Sequence, residues 1–125
     1  MRQFETGATR DNDTTKFDYD GFNSPLTMRA FAEYMHKHRV QADGTLRASD
    51  NWKKGIPLEA YRKSMWRHFM DVWSILSGWG GVSGQATDQG PQDIMEALCG
   101  LKFNVDGMIH ELMKARLEGK SLGEL

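Results

Sequence analysis

The sequence has a single cysteine, Cys99, and lacks any apolar run long enough to cross a membrane. One cysteine cannot form an internal disulfide, which is typical of proteins that work in a reducing compartment. A membrane-spanning helix needs about 20 consecutive apolar residues, and the opening residues MRQFETGATRDND contain no signal-peptide core. These absences predict a soluble cytoplasmic protein with no membrane partner.

The chain also lacks an excess of charge of one sign. Its 16 Lys and Arg residues are balanced by 17 Asp and Glu residues, and the formal net charge is −1. Proteins that bind DNA or RNA neutralise phosphates with clustered Lys and Arg, and no long run of either sign occurs here. We therefore expect no nucleic-acid polymer as a partner. A small acidic metal site is compatible with this balance, because a few carboxylates are easily offset elsewhere.

The 125 residues have room for one hydrophobic core, so we expect a single domain over residues 1–125. Residues 1–23 are polar and rich in turn-forming residues, and they predict an irregular but ordered arm. We expect this arm to pack its aromatic side chains, namely Phe4, Phe17, Tyr19 and Phe22. Residues 120–125 are expected to form a flexible tail.

Three stretches carry apolar residues at helical spacing. The first helix is predicted to start at Ser24-Pro25, a capping residue followed by proline, and to run to about Val40. The second is predicted over about 57–77 and the third over about 91–119. The apolar positions that we expect to be buried are Tyr61, Met65, Phe69, Val72 and Leu76 in the second helix and Ile94, Leu98, Leu101, Val105, Met108 and Leu112 in the third.

The connections between these helices show no alternation typical of strands. Residues 41–57 predict an irregular stretch anchored by Trp52, and the glycine-rich residues 78–90 predict a flexible connection. The sequence thus predicts an all-α fold, a small bundle of about three main helices with a long irregular N-terminal arm. Trp66, Trp73 and Trp79 fall outside the predicted stripes, so we expect self-association into a dimer or tetramer to cover them.

Polar residues beside the apolar stripes are the candidates for a functional site. His68 and Asp71 are three residues apart on the second helix, and Asp93 and Glu96 are three apart on the third. If the two helices pack antiparallel, Asp71 and Glu96 can face each other and hold Mg²⁺, or Mn²⁺, with Asp93 as a third ligand. His68 could orient a ligand or act as a general base. Asn104 could hold a phosphate or add a neutral oxygen ligand.

Each of these residues also has an ordinary structural explanation. An acid beside an apolar stripe is commonly a solvated edge residue. Asp93, in the first turn of the third helix, needs no metal to explain it, because it interacts favourably with the helix dipole. His68 can bond to a backbone carbonyl at the edge of the core. Spacing alone therefore does not identify an enzyme.

Four blocks of the sequence form a recognisable series, namely GATRD at residues 7–11 followed by Lys16, DNWKKGIP at 50–57, WRHFMDVW at 66–73 and EALCGLKFN at 96–104. Together these blocks resemble the phage-type dATP/dGTP diphosphohydrolase family. The likeness covers residues 7–115 in order. It implies an all-α, oligomeric, Mg²⁺-dependent hydrolase related to the MazG-like nucleotide pyrophosphohydrolases. Such an enzyme would convert purine deoxynucleoside triphosphates to the monophosphate and pyrophosphate, in the cytoplasm of a bacterial host if a phage encodes it.

The resemblance also implies roles for the arm. Arg10 and Lys16 become candidate phosphate contacts, and Asp11 a candidate base or metal contact. The sequence departs from the wider MazG-like pattern, because His68-x-x-Asp71 stands where that pattern has Glu-x-x-Glu. The second acidic pair of that pattern corresponds either to Asp93-x-x-Glu96 or to Glu96 with Asn104. Fewer carboxylates favour a weaker or single-metal site, or a site completed by the N-terminal arm. They leave two other interpretations open, a nucleotide-binding protein without catalysis and a purely structural helical interaction protein.

Overall fold

The computed structural model describes residues 1–83 and 93–125. In these residues it has three α-helices, α1 (Pro25–Lys37), α2 (Leu58–Leu76) and α3 (Ile94–Leu117). The remaining regular elements are short 3₁₀ turns at Asn51–Lys54 and Leu122–Glu124 and an antiparallel pair of strands, β1 (Arg2–Gln3) and β2 (Thr9–Arg10). The predicted all-α class with three main helices is confirmed. No helix in the described ranges is long and apolar enough to span a membrane.

Helix α1 begins as predicted and ends earlier than predicted. Ser24 caps it by accepting a hydrogen bond from the Thr27 backbone N–H, and Pro25 occupies the first turn. The helix stops at Lys37 because Val40 pairs instead with Leu46 in an antiparallel bridge. The prediction that the helix extends to about Val40 is therefore wrong. Residues 39–47 instead form a short hairpin.

Helices α2 and α3 pack against each other and form the core. Tyr61 lies against Gly107 and His68 lies against Gly100, so the two helices run antiparallel. The buried side of α3 consists mainly of small or polar residues at helical spacing, namely Ala97, Gly100, Asn104, Gly107, Glu111 and Ala115. These small side chains let α2 approach α3 closely enough to bury the Tyr61 ring.

The predicted buried faces of the second and third helices are only partly right. Tyr61 and Val72 are buried as expected, whereas Phe69 and Leu76 are exposed. On α3 the packing uses the small-residue side, and the stripe of larger residues beside it faces outward. We call this exposed surface the apolar face. Its members are Trp66, Phe69, Trp73 and Leu76 of α2 and Leu98, Val105, Ile109 and Leu112 of α3.

Asp93 caps the start of helix α3. Its first residue is Ile94, and Asp93 is the N-cap, whose carboxylate accepts a hydrogen bond from the Met95 backbone N–H at 3.0 Å. The predicted start near Pro91, like most of the predicted glycine-rich connection, lies outside the described residues.

The N-terminal arm does not pack its aromatic side chains. Phe17 is 85% exposed and Phe22 is 88% exposed, and Tyr19 is also largely in solvent. The arm is ordered through its own contacts, chiefly the β1–β2 pair and an ion pair between Arg2 and Asp13. The expectation that the arm packs its aromatic side chains is therefore wrong for Phe17, Tyr19 and Phe22, whose rings stay largely in solvent in the described structure.

Candidate functional site

Side chains from all three helices meet where α1 ends, at the level of the first turn of α3. The antiparallel register that sets His68 against Gly100 places Asp71 level with Ala97, the residue that follows Glu96 in the sequence. His38, the C-cap residue of α1, bonds to Glu96 and is close enough to His68 to affect its pKa. We call His38, His68, Asp71 and Glu96 the junction cluster.

Glu96 is the most strongly paired member of the cluster. One of its carboxylate oxygens, Oε1, lies 2.9 Å from His38 Nε2 and 3.2 Å from Lys37 Nζ. Partial burial would raise the pKa of this carboxyl, but the hydrogen bonds from His38 and Lys37 outweigh it and lower the pKa. Glu96 is therefore ionised at neutral pH and joins the end of α1 to the start of α3.

Asp71 is almost completely buried, with 2% of its surface exposed. Its Oδ1 accepts hydrogen bonds from the backbone N–H groups of Val82 and Ser83, both at 2.9 Å. These bonds offset much of the free-energy cost of burying a carboxylate, and they hold residues 82–83 against α2. Asp71 thus has a clear structural role, whatever else it binds.

His68 is half-buried, with its ring against Gly100. Its Nδ1 atom is buried and has no hydrogen-bond partner among the described residues. Burial lowers the pKa of His68, and the charges of Arg67 and His38 lower it further, while Asp71 acts in the opposite direction. The imidazole is consequently neutral at pH 7 and able to accept a proton.

Two other predicted site residues on α3 are engaged within their own helix. Asn104 is buried and donates from Nδ2 to the Gly100 carbonyl at 2.8 Å. Asp93 serves as the N-cap described above. Both arrangements agree with an ordinary structural role, and the predicted ligand roles of these residues stay predictions.

The arm residues lie apart from the junction cluster. Arg10 and Lys16 line an open depression formed by the arm itself. The backbone carbonyl of Asp11 accepts a hydrogen bond from Arg2 Nε. Within residues 1–83 and 93–125, no hydrogen bond or ion pair connects Arg10, Asp11 or Lys16 to the cluster.

Beside the cluster runs a groove that the sequence interpretation did not anticipate. It lies between α1, residues 47–56 and α3, and its volume is about 370 Å³ near the end of α1. Its apolar lining comprises Ala32, Met35, Trp52, Ile56 and Phe103, and its basic lining comprises His36, His38, Arg39 and Arg47. His38 belongs to both the groove and the cluster, so the two are continuous. The signal in the sequence was HKHR at residues 36–39, a basic run at the end of a helix.

The donor chemistry of the cluster fits Mg²⁺ but does not form a complete cage. Among the described residues, no three His, Cys, Asp or Glu side chains are grouped closely enough to hold a metal ion. Mg²⁺ commonly uses one or two carboxylates and takes its other ligands from water and substrate phosphates. Asp71 and Glu96 supply two such carboxylates from neighbouring helices, although each already has hydrogen-bond partners.

Comparison with family models, curated proteins and solved structures gives no match for this chain.

Proposed function

We propose that this protein hydrolyses purine deoxynucleoside triphosphates, dATP or dGTP, to the monophosphate and pyrophosphate with Mg²⁺. The observation that carries the proposal is the junction cluster. Its His38 lines the groove, bonds to Glu96 of α3 and lies close to His68 of α2, a neutral imidazole that lies near Asp71. The resemblance of residues 7–115 to phage-type dATP/dGTP diphosphohydrolases supports the same chemistry. The proposed setting is nucleotide metabolism in the cytoplasm of an infected bacterial cell.

In the proposed reaction, water attacks the α-phosphorus of the substrate. The water oxygen forms a bond to that phosphorus, the bond from phosphorus to the bridging oxygen breaks, and pyrophosphate leaves with the bonding electrons. His68 is suited to accept the water proton because burial keeps the imidazole neutral. Mg²⁺, held by Asp71 and Glu96 with Asp93 as the further candidate ligand, would neutralise phosphate charge and polarise the phosphorus.

Self-association is part of the proposal. The apolar face exposes large side chains that are rarely left in water, and Trp73 alone is 59% exposed. On α3 this face lies away from Phe103, which lines the groove beside α1. A second copy that packs its own α2 and α3 on the apolar face would form a four-helix core and leave the groove open. The proposed assembly is a dimer or a tetramer.

The test is to incubate the purified protein with each deoxynucleoside triphosphate and Mg²⁺ and to separate the products by ion-exchange chromatography. We expect dATP or dGTP to yield the monophosphate and pyrophosphate. Mn²⁺ in place of Mg²⁺ should support the same reaction, and chelator should stop it. Absence of pyrophosphate from every triphosphate would contradict the enzyme assignment.

Two substitutions separate catalysis from structure. Glu96→Gln and Asp71→Asn each remove a charge and keep an oxygen that can still accept the hydrogen bonds seen in the structure. Each should abolish turnover and preserve the helical circular dichroism signal. Glu33→Gln is the matched control, because this exposed acid of α1 pairs only with Arg29 in the described structure, and it should keep full activity. Loss of the helical signal in Glu96→Gln would mean that Glu96 is structural.

A second candidate is a nucleotide-binding protein without catalysis. The observation that favours it is that both carboxylates already have hydrogen-bond partners. Asp71 accepts from two backbone N–H groups, and Glu96 accepts from Lys37 and His38. Nucleotide binding that persists in excess chelator, without any product, would support this candidate over the hydrolase.

A further inference from the structure

We propose that the groove between α1 and Trp52 binds the nucleoside part of a nucleotide, with the phosphate held by Arg39 and Arg47 at its basic end. The inference rests on the proposed function in one respect, because it takes the ligand to be a nucleotide. It adds the place of the base and the residues that select for it, none of which belongs to the junction cluster.

The groove has the size and lining of a small-molecule site. Its two sections, of about 370 and 360 Å³, share Ala32, Met35, Ser49, Trp52 and Phe103, so they lie next to each other along the groove. This volume is in the range of small-molecule sites, which are mostly apolar with a few polar groups. Aromatic and thioether side chains suit a flat nucleobase, since they contact its face without fixed hydrogen bonds.

One end of the groove carries the positive charges of Arg39 and Arg47, which no carboxylate of the described residues balances through an ion pair. The Arg47 backbone N–H donates to the Arg39 carbonyl, and Arg39 Nε donates to the Arg47 carbonyl, both at 2.8 Å. The hairpin therefore holds the two arginines side by side. No carboxylate in the described parts of the chain forms an ion pair with either guanidinium. Adjacent like charges destabilise a strand pair, and a bound phosphate would neutralise them.

The basic end of the groove is continuous with the junction cluster through His38. His38 lines the basic end of the groove and bonds to Glu96 at 2.9 Å. A nucleotide whose base lies near Trp52 and whose phosphates extend past Arg47 would thus bring its phosphate chain to His38. Ser49 and Asn51 also line the groove and can hydrogen-bond to the polar edge of a base or sugar.

The experiment measures binding of three probes by calorimetry, in chelator so that no hydrolysis occurs. The probes are dAMP, deoxyadenosine and inorganic pyrophosphate. We expect dAMP to bind more tightly than either of the others, because only dAMP has both a base and a phosphate. Pyrophosphate binding as tight as that of dAMP would show that the site takes a phosphate alone and would overturn the assignment of the base.

Substitutions locate the site. Ala32→Leu places a larger side chain in the groove at an exposed position of α1. It should lower the affinity for dAMP and for deoxyadenosine by about tenfold or more. Arg47→Gln should lower the affinity for dAMP by about tenfold and leave the affinity for deoxyadenosine unchanged, because only dAMP has a phosphate. Ala60→Leu is the matched control, an exposed alanine of α2 that does not line the groove, and it should bind as the parent does.

The outcomes distinguish this inference from the proposed function. Unchanged dAMP affinity in Ala32→Leu, with the helical signal intact, would overturn the groove assignment even if the protein hydrolyses dATP. Normal groove binding without any hydrolysis would leave this inference standing and refute the enzyme. An equal loss of affinity for dAMP and for deoxyadenosine in Arg47→Gln would contradict the phosphate role of Arg47.

Discussion

Replacing Gly107 with alanine should destabilise the protein, although alanine is the better helix former. Gly107 lies in the interior of α3, against the ring of Tyr61 on α2. A Cβ atom added at this position would lie 2.7 Å from the Tyr61 hydroxyl oxygen and closer still to ring carbons Cζ and Cε1. Since Tyr61 is only 1% exposed, its ring has no free space into which it can move.

The magnitude follows from two opposing effects. Gly→Ala within a helix gains about 1 kcal/mol from intrinsic propensity. Forcing a methyl group into a filled core costs about 1–3 kcal/mol, and the upper end applies here because the obstacle is a buried ring. We therefore expect the free energy of unfolding to fall by about 2 kcal/mol, which lowers the Tm by about 8 °C for a chain of this size.

The assay is urea unfolding followed by circular dichroism, in a double-mutant cycle with Tyr61→Leu. Tyr61→Leu alone should be destabilising, since it leaves a cavity. In the Tyr61→Leu background, Gly107→Ala should leave the free energy of unfolding unchanged or raise it, because the ring that the new methyl group would strike is absent. Gly123→Ala is the control, as an added Cβ there meets no atom within 4 Å. An equal loss of stability in both backgrounds would refute the packing argument.

Two further predictions concern pH and assembly. Burial lowers the pKa of His68 below the ordinary histidine value of 6.5, so the unfolded chain takes up a proton first and the free energy of unfolding falls as the pH drops below 6.5. The measurement is urea unfolding in chelator at several pH values between about 7 and 5. His68→Gln should reduce the change in the free energy of unfolding with pH. The same pH dependence in parent and variant would contradict a lowered pKa of His68. Trp73→Glu should dissociate the assembly in light-scattering measurements, whereas Lys63→Glu on the same helix should not. A parent protein that is already monomeric at micromolar concentration would refute the interface.

The helices could be predicted from the sequence because their signals are local. The capping pair Ser24-Pro25 and the apolar spacing in α2 each depend on residues within a few positions of one another. The buried side of α3 could not be predicted in the same way. Its glycines and alanines have little hydrophobic signal of their own, and they are buried because the Tyr61 ring needs close approach, which is a property of the partner helix.

The candidate site shows the same difference between local sequence signals and contacts that depend on distant residues. Spacing predicted a site formed by His68, Asp71 and Glu96 on two facing helices, and α2 and α3 do pack antiparallel with His68 against Gly100. It missed Lys37 and His38, which bond to Glu96 although they are 59 and 58 residues away in the sequence. No periodic pattern reports such a contact, because it depends on where α1 ends. The early stop of α1 at Lys37 turns His38 toward α3 and also begins the hairpin that carries Arg39 and Arg47.

The line of small residues on α3 links the fold, the candidate site and the expected assembly. Because Gly100 and Gly107 admit His68 and Tyr61, α2 and α3 bury their narrow sides against each other. The same packing sets Asp71 level with Ala97, the residue after Glu96, and leaves the large side chains on the outer surface. A packing that buried Leu98 and Val105 instead would rotate α3 and carry Glu96 away from His38. The exposed apolar face is therefore a consequence of building the junction cluster, and a second copy is the simplest way to cover that face without disturbing the cluster.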